Sequence, residues 1–128
     1  MDAAIRREAA RLRALGSQQA ASYIIANYRT AWAPTFILIR RLSWKVADQM
    51  RLAEHFLPKK PFAHSSPYEA FASFMSVEHF LAAIERVWPE DEWDRDLLMY
   101  HLGPILENYA ASEKGRSAVD RFLSTHST

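Results

Sequence analysis

From residue 34 to residue 57 the chain reads PTFILIRRLSWKVADQMRLAEHFL, and Ile39, Leu42, Val46, Met50, Ala53 and Leu57 recur in steps of three and four. On an α-helix those positions form one stripe, so the pattern predicts a helix over 34–57 with that stripe on the core. Arg40, Arg41, Lys45 and Arg51 fall off the stripe, with only Asp48 and Glu54 near enough in sequence to offset them. The segment is apolar on one side and cationic on the other.

The flanking pattern is helical as well. Residues 2–15 are rich in Ala, Leu and Arg, strong helix formers, with Ile5, Ala9 and Leu12 as a thin apolar edge. Gly16 and Ser17 read as a C-cap glycine followed by an N-cap serine, and a second helix is expected from Gln18 to about Thr30, burying Tyr23, Ile24, Ile25 and Tyr28. An uninterrupted helix from Gln18 to Leu57 would be about 60 Å long against roughly 30 Å across a domain of this size. A break at Trp32-Ala33-Pro34 is therefore expected, with Pro34 opening the next helix. Pro58-Lys59-Lys60-Pro61-Phe62 reads as an extended basic connector.

Ser66-Pro67-Tyr68-Glu69 combines an N-cap serine, a proline in the first turn and a glutamate at the third position. Ala70, Phe74, Val77, Leu81, Ile84 and Trp88 then step along one face to Pro89, and Ser73 and Ser76 leave a division near Met75 open. Glu90, Asp91, Glu92 and Asp94 stand at the head of a further helix, where the free N–H groups and the macrodipole favour negative charge. That helix is apolar on most sides through Leu97, Leu98, Leu102, Ile105, Leu106 and Tyr109, as a central helix is, and Gly103-Pro104 kinks or divides it. Val119, Phe122 and Leu123 give the tail, 113–124, a short packing edge. No stretch alternates as a strand does, and no internal repeat stands out. The expected fold is all-α: one domain over 1–128, five to seven helices in a compact bundle or orthogonal array, without a sheet.

Composition changes this picture in two ways. The 128 residues include no cysteine, which excludes disulfides, thiolate metal sites and cysteine nucleophiles. The net charge of +1 conceals a split: residues 1–60 carry 11 basic and 4 acidic side chains, +7, and residues 61–128 carry 5 and 11, −6. The chain thus divides into a basic half (1–60), a connector (58–66) and an acidic half (67–128). The halves attract each other within the fold, two copies associate, or the basic half meets an acidic partner. Arginines and acids near the N-terminus do not resemble a secretory or mitochondrial leader, and the longest uncharged apolar run, 31–39, is far short of a bilayer span. A cytoplasmic protein is expected.

Sites for chemistry are sparse. His55, His64, His79, His101 and His126 have no His or carboxylate four residues away, so no metal is expected; His101 reads as a hydrogen-bonded core residue. No serine elbow and no glycine-rich phosphate loop is present, so the reading is a non-enzyme without a cofactor. Trp44, between Arg41 and Lys45, is either partly exposed as an interface anchor or covered by the first helix. Arg40, Arg41, Trp44, Lys45, Lys59 and Lys60 are the candidate partner-binding residues. The expected function is a regulator, adaptor or inhibitor that occludes a partner surface, the partner being a protein with an acidic surface or a second copy. The alternative is a nucleic-acid-binding regulator using the same cations on phosphates.

Overall fold

The computed structural model describes residues 3–29, 33–57 and 61–126. These residues form eight helices and no strand: α1 Ala3–Leu15, α2 Ser17–Asn27, α3 Ala33–Arg41, α4 Val46–Phe56, α5 Ser66–Ala72, α6 Val77–Arg86, α7 Glu92–Tyr109 and α8 Glu113–His126. The all-α class holds, and the count exceeds the expected five to seven because two expected helices are each divided.

The first division falls at residues 42–45. Trp44 turns inward, its indole N–H donating to the Ile39 carbonyl at 2.8 Å, while the Gln49 amide donates to the Trp44 carbonyl at 3.0 Å. The Lys45 N–H donates to Ser17 Oγ at 2.9 Å, across 28 residues of sequence. Backbone groups that a continuous helix would pair internally are satisfied from elsewhere. The break rotates α4, whose buried face is Asp48, Gln49, Leu52, Ala53 and Phe56, leaving Val46 48 % exposed. A single stripe over 34–57 is thus corrected to two faces out of phase.

The second division is at Ser76, whose Oγ accepts from the His79 N–H and caps α6. Upstream, the N-cap of α5 is Ser65 rather than Ser66, and its hydroxyl donates to the Glu69 carboxylate at 2.7 Å. Ser17 likewise is the first residue of α2 and not its cap; Gly16, with φ of +84°, holds that position. The helix α7 passes unbroken through Gly103-Pro104. A glycine before the proline removes the Cβ that would meet the ring in helical geometry.

Each helix packs against the one two places on, α1 on α3, α3 on α5, α5 on α7, and α2 on α4, α4 on α6, α6 on α8, with cross-contacts within α1/α2, α5/α6 and α7/α8. The result is a stack of helix pairs, odd-numbered helices in one row and even-numbered in the other. The basic half supplies α1–α4 and the acidic half α5–α8. They meet at an aromatic junction, where the Phe36 ring stands edge-on to Phe56, Phe62 and Phe71 at 6.1, 5.7 and 6.4 Å between centroids. Tyr68, Phe56, Phe71 and Phe80 are wholly buried, each contributing about 1.5–3 kcal/mol by leaving water. No helix among the described residues is long and apolar enough to cross a membrane.

Candidate functional site

The expected cationic ridge separates into parts. Arg40 and Arg41 end α3 and both are exposed, but neighbours on a helix point about 100° apart. Arg41 stands with α1: its carbonyl lies 3.5 Å from Arg13 Nη2, and Lys45, at the N-cap of α4, is tied to Ser17 at the head of α2. Arg13, Arg41 and Lys45 therefore gather where the α1–α2 and α3–α4 turns meet, and none of the three has an ion-pair partner among the described residues. Arg13 and Arg41 also sit at helix C-termini, where the macrodipole favours a cation.

Trp44 is buried in the fold. It is 8 % exposed and faces a crevice of about 220 Å³ lined by Leu12, Gly16, Ala20 and Leu42. The first two helices cover it, the second of the two alternatives left open by the sequence. Lys59 and Lys60 lie outside the described residues.

Arg40 faces the other way, into a groove of about 560 Å³ shared with Glu69 of α5, with Ser73 at the C-cap of α5, and with Pro104, Glu107 and Asn108 of α7. The groove exists because α5 has 7 residues between neighbours of 9 and 18, so the odd row is notched. Its wall is held by Tyr109, whose hydroxyl reaches the Met75 and Ala72 carbonyls at 2.8 and 3.1 Å and whose pKa burial pushes up.

The surface that sequence reasoning missed is on α7. Far from central, it ends the odd row: Leu98, His101, Leu102, Ile105 and Leu106 face inward, while Trp93 and Tyr100 are each 78 % exposed. Seven residues are two turns, so the two rings lie within about 20° of one another round the helix axis. Asp96, Pro104 and Glu107 are exposed on the same side. The available signal was the offset of 93, 96, 100, 104 and 107 from the 98/101/102/105 face, hidden by the apolar composition. The Asp91 carboxylate accepts from the Asp94 N–H at 3.1 Å, so this acid caps the helix as expected. His101 is a core residue, 7 % exposed, its Nε2 3.0 Å from the Phe62 carbonyl and its ring stacked on Tyr68.

No group of three or more His, Asp or Glu able to hold a metal ion occurs among the described residues. Comparison with protein families, with characterised proteins and with solved structures returns no match, so the surfaces themselves carry the functional argument.

Proposed function

We propose that the protein is a non-catalytic interaction module, a regulator, adaptor or inhibitor that acts by covering part of a partner protein's surface. The observation that carries this reading is the pair of rings, Trp93 and Tyr100, two turns apart on the outer face of α7 and each 78 % exposed. Tryptophan and tyrosine are over-represented among the residues that dominate binding energy, and leaving both in water costs solubility without contributing to the fold. In this reading the contact lies on α7 rather than round Trp44.

A second reading is favoured by one observation. Arg13 joins Arg41 and Lys45 at the cationic end, a set of exposed, unpaired charges suited to phosphates or to an acidic surface.

Affinity capture from nuclease-treated lysate separates the two. Retention of a stoichiometric protein by the wild type and by Arg41→Ala/Lys45→Ala, with loss in Trp93→Ala/Tyr100→Ala, is the expected result. Recovery of nucleic acid alone, with a salt slope that falls by about 2 when Arg41 and Lys45 are replaced, would transfer the function to the cationic end. The aromatic substitutions should leave stability within about 0.5 kcal/mol, because both side chains are surface groups.

A further inference from the structure

The outer face of α7 is specific about what it would accept. Trp93, Asp96, Tyr100, Pro104 and Glu107 follow one another along it, a line of about 21 Å from first to last. Around that line, between residues 89 and 112, stand Glu90, Asp91, Glu92, Asp94, Asp96 and Glu107, and the single cation is Arg95. Arg95 does not neutralise them: its guanidinium donates to the Pro89 and Glu90 carbonyls at 3.3 and 2.5 Å. None of the six carboxylates has an ion-pair partner among the described residues. The face is aromatic and anionic, with its own cation engaged elsewhere.

We infer that this face docks a cationic segment of another protein, with arginine or lysine side chains lying over Trp93 and Tyr100 and pairing with Asp96 and Glu107. The inference rests on the interaction-module reading and names the partner's chemistry. Indole and phenol faces attract cations through the ring quadrupole, most strongly for arginine on tryptophan. The chain uses the same contact internally, where the Arg11 guanidinium lies 4.4 Å from the Tyr23 ring centroid. At its far end the line reaches the 560 Å³ groove, which shares Pro104 and Glu107 and adds both Glu69 and Arg40, so the cationic segment is held by the Trp93–Glu107 line and not by the groove.

A second copy fits less well. The cations of this chain without an ion-pair partner among the described residues are scattered, among them Arg6, Arg7 and Arg13 on α1, Arg40, Arg41 and Lys45 round the end of α3, and Arg116 and Arg121 on α8, and along α1 they span only about 10 Å, short of a line of about 21 Å. Joining that end to the face of α7 would also be a head-to-tail contact, which does not close on itself and grows into chains.

The test is selection from a display library of random 15-residue peptides on the immobilised full-length protein, with the Trp93→Ala/Tyr100→Ala variant as counter-target and sedimentation of the protein alone alongside. Peptides retained by the wild type and not by the variant should carry net positive charge. One such peptide, labelled and titrated, should lose at least tenfold in affinity both with Asp96→Asn/Glu107→Gln and on raising NaCl from 0.05 to 0.5 M. Variant-dependent peptides that are neutral or acidic would overturn the cationic class while leaving the docking face standing. The absence of any variant-dependent peptide would overturn both. Concentration-dependent self-association lost in Trp93→Ala/Tyr100→Ala and in Arg41→Ala/Lys45→Ala would make the occupant a second copy and overturn the foreign segment.

Discussion

Trp44 shows how one side chain decides the course of the backbone. Its ring packs under α1 and α2, and its N–H donates at 2.8 Å to the Ile39 carbonyl, which the Leu42 N–H reaches only at 3.4 Å. Truncation to alanine removes both the packing and the donor, and should cost about 3–5 kcal/mol in urea unfolding. Trp44→Phe keeps much of the packing but leaves the Ile39 carbonyl only the longer bond from the Leu42 N–H, at a cost of about 0.5–1.5 kcal/mol. Should the alanine variant match the wild type, the break at 42–45 would be set by something other than this ring. Glu8 makes a different kind of tie. Its carboxylate accepts from Arg11 at 2.6 Å and from the Tyr28 hydroxyl at 2.5 Å, joining α1 to the end of α2. The Arg11 bond first, and the Tyr28 bond second, hold its pKa below 4.5. A carboxylate with a lowered folded-state pKa contributes stability that is complete above its unfolded value and is lost as pH falls through the folded one. Glu8→Gln should therefore lower the urea midpoint at neutral pH, and the two midpoints should converge as pH falls through the lowered folded-state pKa. A gap that stayed constant over that range would assign Glu8 a packing role alone.

At the scale of the elements, the short α-turn joining α7 to α8 is set by contact rather than by propensity. Gly115 lies in the first turn of α8, and a Cβ there would overlap the Tyr109 carbonyl at the end of α7. Alanine favours a helix interior over glycine by about 1 kcal/mol. At this position the clash with backbone should win, and Gly115→Ala should destabilise by about 1–3 kcal/mol; a rise in urea midpoint would mean that α8 can shift away without loss. The elements that the sequence made legible are those whose signals are local. Pro67 in the first turn of α5, the acids ahead of α7 and the Gly16 stop after α1 each act within a turn, and each was read from neighbouring residues. The division of 34–57 was not, because no glycine or proline marks it. Its causes lie at Ser17, 28 residues from Lys45, and in the burial of Trp44. For the same reason exposure was not legible: Trp44 has charged neighbours in sequence and apolar ones in space, while Trp93 and Tyr100 sit in an apolar stretch and face water. Periodicity gives the direction of a side chain round its helix, and only the order of helices in the rows says which direction is outside.

In the whole molecule, the opposite charges of the two halves are not what joins them. Across the junction the one ion pair among the described residues is Arg86 with Glu54, a cation from the acidic half and an anion from the basic one. It draws on the minority charge of each side. The other pairs, Arg11 with Glu8, Arg51 with Asp48, Lys114 with Glu78 and His126 with Glu85, stay within a half. What crosses the junction is apolar, the ring of Phe36 against Phe62 and Phe71 and the packing of α3 on α5 and α4 on α6. Charges separated by more than the screening length, about 10 Å at 0.1 M salt, add little to such a contact. The exposed pairs contribute at most about 1 kcal/mol. Raising NaCl from 0.05 to 0.5 M should therefore change the unfolding free energy by less than about 1 kcal/mol, read from urea midpoints. The same change of salt should weaken whatever binds the face of α7 or the cationic end, so stability and binding should respond differently to salt. If stability fell as steeply as binding, the charges of the two halves would be engaged with each other, and neither surface would have its charge to offer a partner.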